Sequence, residues 1–190
     1  YNCSLSSYLG KEVYGLKLKI CGNLLIREGG SVDVSGKGFI GTTGPGTHWV
    51  NSSGGSYGGL GKGGLACYGS IVSPTNLGSG GRGDGNYRGG GLARLEVTGI
   101  HRNEGAIRAN SAAMTANTGA GGTIHITAGV MAGAGVIEAN SATNVTGSNP
   151  GGGGRIALVV TNAGADFDDY EGPITAYGGR SKRTPYTTYP

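Results

Sequence analysis

The chain has 190 residues, room for one domain with no need of two. Glycine supplies 43 of them, roughly three times the usual share of about 7%, while charged residues make up only 14% and the net charge is +4. The basic residues are scattered, which excludes an electrostatic stripe for nucleic acid. No apolar run approaches the roughly 18 residues a membrane-spanning helix needs. Charge is also too low, and the β-branched runs too regular, for a disordered chain. The sequence opens at Tyr1 without Met or a leader-like segment, which reads as a processed mature chain or a piece of a longer one.

The first element is LKLKI from Leu16, followed by a second short strand within GSVDVSGKG from Gly30. Ahead of it, Asn2-Cys3-Ser4 is a glycosylation sequon. Cys3 is placed to pin the N-terminal segment to the first strand by a disulfide with Cys21, leaving Cys67 buried, free or linked to another chain; the alternative is three free thiols. From about 36 to 90 the pattern breaks into glycine-rich sequence, read as an insertion that folds over one side. It carries the sequon at Asn51 and the aromatics Trp49, Tyr57, Tyr68 and Tyr87, which form either an exposed binding patch or a small satellite core. Arg82-Gly83-Asp84 has the form of a cell-attachment tripeptide, a form that glycine-rich chains also produce by chance.

The pattern then returns three times. GGLARLEVTGI from Gly90 leads to GAIRANSA, GGTIHITAGV from Gly121 to GVIEANSA, and GGRIALVV from Gly153 to GPITAYGG. Period-two alternation puts Leu18/Ile20, Leu95/Val97, Ile124/Ile126 and Ile156/Leu158 on one face of the first strands. On the second strands the matching pairs are Val32/Val34, Ile107/Ala109, Ile137/Ala139 and Ile174/Ala176. The second position shrinks to Ala in three units, which predicts close approach of an opposite wall. Asn110 and Asn140 recur after the second strand, either as a stacked ladder or as ordinary turn residues. Units of about 30 residues that cannot bury an apolar face alone predict an all-β, right-handed parallel β-helix (β-solenoid) of about four coils. That domain spans 1–180 with the insertion at 36–90, and an extended tail occupies 181–190.

The remaining candidate sites are few. Asn144 is the third sequon, in a loop between units. Asp166, Asp168 and Asp169 form an acidic cluster that is the one candidate for a metal, with a solvated loop as the plainer reading. Pro185, Tyr186 and Tyr189 mark the tail as an assembly segment able to add a strand to a neighbour. No nucleophile–base pair, phosphate loop or dinucleotide motif is present, so neither an enzyme nor a cofactor is expected.

GGTIHITAGV…GVIEANSA…GGGGRIALVV resembles the glycine-rich repeats of large extracellular surface and adhesin proteins of bacteria and protists. The resemblance covers 90–180 well and 16–38 loosely, and implies an extracellular β-helix-like fold with a role in adhesion or fibre architecture. Tail, sequons and size also resemble a glycosylated extracellular fibril subunit. The expectation is therefore a secreted structural subunit that assembles head to tail with copies of itself and carries glycans, without nucleic acid or membrane insertion. The second reading is a carbohydrate- or cell-binding adhesin module. The third is a polysaccharide lyase using Asp168 or Asp169.

Overall fold

The computed structural model describes residues 2–8, 11–49, 52–143 and 149–181, with residues 2–8 and 11–14 described by their backbone. Ten strands occur in it: β1 (Asn2–Tyr8), β2 (Lys11–Ile20), β3 (Leu24–Ile26), β4 (Ser31–Asp33), β5 (Leu92–Asn103), β6 (Ala106–Arg108), β7 (Thr123–Ala132), β8 (Val136–Glu138), β9 (Arg155–Val160) and β10 (Ile174–Thr175). The larger sheet has the order β1-β2-β5-β7-β9, with β3 also paired to β5. The smaller has the order β10-β8-β6-β4. All pairings are parallel except the β1–β2 hairpin. There is no helix among the described residues, and hence none long and apolar enough to cross a membrane.

The expected four-coil β-helix is not what the chain forms. The strands of the smaller sheet are only two or three residues long, too short to define continuous sides. The first unit departs most: β2 belongs to an antiparallel hairpin, and β2 and β3 both pair with the single strand β5. The glycine-rich stretch between β4 and β5 contains no strand among its described residues and hydrogen-bonds to the loops that precede β7 and β9. Parallel sheets of short strands closed by irregular glycine backbone describe the molecule.

The alternation does place the core. Leu95, Ile124, Ile126, Ile107 and Ile137 are all fully buried between the two sheets, with Ala109, Ala128 and Ala139. At one junction the register differs from the sequence alignment by two residues: Leu95 lies opposite Ile126, not Ile124. The next junction keeps the aligned register, with Ile126 opposite Leu158. A two-residue slip keeps every side chain on its face, so alternation alone cannot exclude it.

Beside the two sheets the packing is backbone on backbone. Gly38 N–H donates to Gly89 O at 2.8 Å, Gly78 N–H to Gly90 O at 2.9 Å, and Gly90 N–H to Ala120 O at 2.9 Å. Further along, Gly121 N–H donates to Gly152 O at 3.1 Å, and Gly55 is bonded between Thr118 and Gly152. Each of these glycines is buried. A Cβ on Gly90 would overlap the carbonyl oxygen of Ala109, on Gly121 that of Ala139, and on Gly153 that of Ala176. This is the close wall that the shrinkage to Ala predicts, and it accounts for glycine where any other residue would push the layers apart.

Candidate functional site

The aromatics of the 36–90 segment divide. Tyr57 is fully buried and Tyr68 half-buried, their ring centroids 4.9 Å apart. Thr123 Oγ1 gives its only proton to Asn76 O at 2.6 Å, so the Tyr57 hydroxyl, 2.6 Å from that oxygen, is the donor to it. The Arg155 guanidinium lies 5.4 Å over the Tyr57 ring and donates to Tyr68 O at 3.1 and 3.3 Å. Burial raises both phenol pKa values, most strongly that of Tyr68. Two neutral phenols with their hydroxyls hydrogen-bonded inside the fold make a satellite core, not a binding patch. It ties the glycine-rich segment to the outer face of the larger sheet, as does the neighbouring cluster of Phe39, Leu77 and Leu92. Tyr87 is half-buried, with its ring packed over Gly83. Trp49 alone stands out, 72% exposed.

The other sequence candidates are not drawn together into one site. In the Arg82-Gly83-Asp84 tripeptide, Arg82 N–H is bonded to Ser53 O at 2.8 Å, and Gly83 both accepts from Thr42 Oγ1 and donates to it. The tripeptide is clamped, with only Asp84 exposed. Asp166, Asp168 and Asp169 are exposed, and the Asp166 carboxylate accepts the Asp168 N–H at 3.0 Å, shaping a turn. No group of His, Cys, Asp and Glu among the described residues could hold a metal ion, so the acidic candidate is not assembled as one. The Cys3–Cys21 pair is also corrected: Cys21 is free, and Cys3 lies opposite Leu16. Five residues of strand, roughly 16 Å, then separate Cys3 from Cys21, well beyond the roughly 7 Å limit for a disulfide. Cys67 is free and exposed. Asn2 lies in β1; Asn51, Asn144, Pro185, Tyr186 and Tyr189 fall outside the described residues.

The asparagines form a ladder. Asn110 Oδ1 accepts the Asn140 N–H at 2.7 Å, and Asn140 Oδ1 accepts the Tyr177 N–H at 2.7 Å. Ser35 Oγ begins the series by accepting the Asn110 N–H at 3.1 Å. One corner of the molecule is thus stitched by side chain to backbone through every unit.

Two further features bear on function, and the first carried no signal in the sequence. His101, in β5, is fully buried beside Leu24 and Met131, and neither ring nitrogen has a hydrogen-bond partner. Desolvation lowers its pKa to about 4. The second feature is the pair of molecular ends. At one, Leu16, Leu18, Ile20, Leu24 and Val32 are only partly covered; at the other, Ile156, Leu158 and Val160 are in the same state. The outer edges of β4, β9 and β10 have no strand partner among the described residues. Charge differs between the ends as well. Exposed Lys19, Arg27 and Lys37 outnumber Glu28 and Asp33 at the first, whereas Asp166, Asp168, Asp169 and Glu171 outnumber Arg180 at the second.

Comparison with protein-family models, curated proteins and solved structures finds no match for this chain.

Proposed function

We propose that the protein is an extracellular structural subunit of a glycosylated fibre or surface appendage, assembled head to tail and without enzymatic activity. The observation that carries this reading is the pair of unfinished ends. Unpaired strand edges and half-covered apolar side chains are what natural proteins normally blunt or cover. Here they sit at opposite ends of the same two sheets, so joining one to the other is a heterologous contact that does not close. A body held together by backbone contacts and low in charge suits architecture better than chemistry. The exposed Trp49 favours a second reading, a carbohydrate- or cell-binding module.

Negative-stain electron microscopy of the secreted protein over rising concentration separates the two. The fibre reading expects filaments above a threshold concentration, with glycan on their surface. Single particles at every concentration, with glycan binding abolished by Trp49→Ala, would put the binding module in its place.

A further inference from the structure

The two ends are complementary residue by residue, because the columns that run through the molecule are in register. In the smaller sheet Val32, Ile107, Ile137 and Ile174 lie successively opposite one another. The next column is Asp33, Arg108, Glu138 and Thr175. Within it Arg108 Nε donates to Glu138 Oε2 at 3.0 Å, so opposite charges already meet between layers. At the corner Ile26 pairs with Asn103, and Gly133 with Tyr170. The registers Arg102↔Ala132 and Ala106↔Val136, on either side, set Glu104 opposite Ala134. Arg27, Glu104, Ala134 and Glu171 are therefore one column, beginning in an exposed cation and ending in an exposed carboxylate.

We propose that a second copy of this chain seats its 170–175 edge on the 26–33 edge of the first, with Ile174 over Val32 and the Glu171 carboxylate beside the Arg27 guanidinium. This rests on the fibre reading and specifies its joint. Among the described residues no strand covers the 26–33 edge, and β1, which pairs with Gly15–Lys17 of the stacked part of β2, is the segment that the joint displaces. Ile174, 45% exposed in the single chain, gains in the joint the apolar neighbour that Ile137 already has. The strands β10 and β4 have the same parallel sense as the other strands of their sheet, so the ladder continues without a change of pattern. The acidic 166–171 loop then faces the more basic end, which orients the encounter and makes it sensitive to salt.

A charge swap tests the joint. Light scattering gives the threshold concentration for assembly of the native chain, Glu171→Arg, Arg27→Glu and the double variant, with circular dichroism on dilute samples confirming that each is folded. The inference expects each single variant to raise the threshold about tenfold by placing like charges together, and the double variant to return towards the native value. Native thresholds in both single variants, or a double variant no better than either, would overturn this joint while the fibre reading stands. A native chain that never assembles would overturn both.

Discussion

At the scale of single residues, His101 and the wall glycines carry the strongest consequences. His101 is neutral when folded because burial disfavours the imidazolium, which sets its pKa at about 4 against an ordinary 6.5. A lowered histidine pKa means that stability is fully present above the unfolded value and is lost as pH falls from about 6.5 towards 4. The loss reaches about 3 kcal/mol. Urea melts across that range should show this decline in the native chain, and a flatter profile in His101→Met. Equal slopes would remove the imidazole from the account. Among glycines, position decides the cost. Gly121→Ala drives a methyl into the Ala139 carbonyl and should cost about 3 kcal/mol. An added methyl on Gly85 would meet nothing within 4 Å, and that residue has no left-handed φ, so Gly85→Ala should be neutral or stabilise by about 0.4–1 kcal/mol. Thermal melts of the pair should therefore separate clearly. Similar values would mean that the wall is looser than its hydrogen bonds imply.

At the scale of elements, the strands were legible and the wall was not. Alternation in LARLEV and TIHITA marks which side chains face inward, since period two has only two faces to choose between. It does not fix register, and Leu95 accordingly lies opposite Ile126 instead of Ile124. The corner asparagines could be seen because the accepting side chains recur at matching positions in two units, although their partners are backbone N–H groups. The aromatics of 36–90 left a satellite core open as one of two readings, but the backbone contacts of the segment could not be seen, because glycine after glycine carries no mark of which carbonyl it meets. The contacts of Arg155 carry no sequence mark for a related reason: its partners Tyr57 and Tyr68 lie in an unrepeated segment, Tyr68 87 residues away. The anchoring of that segment is testable. Phe39→Ala removes the ring that packs on Leu77 and Leu92 and should cost about 3–5 kcal/mol. Limited proteolysis should then cut first within 36–90. Unchanged cleavage would mean that the peptide hydrogen bonds alone hold the segment.

At the scale of the whole molecule, a repeating interior meets two ends that differ in charge but match in register. The interior explains stability in a chain poor in large apolar residues: the glycine-rich backbone approaches closely enough to hydrogen-bond to itself, and the apolar side chains pack between the two sheets. The ends explain why the same interactions need not stop at one chain. Because the smaller sheet contributes four strands, a joint that continues it directly advances the assembly by four strand spacings, about 19 Å per copy. The measurement that tests this most directly is the axial repeat of assembled filaments by cryo-electron microscopy. The account predicts filaments with a rise of about 19 Å and parallel strands stacked along the axis at about 4.8 Å. Filaments with an unrelated rise, or a native protein that stays a single particle at every concentration, would contradict it.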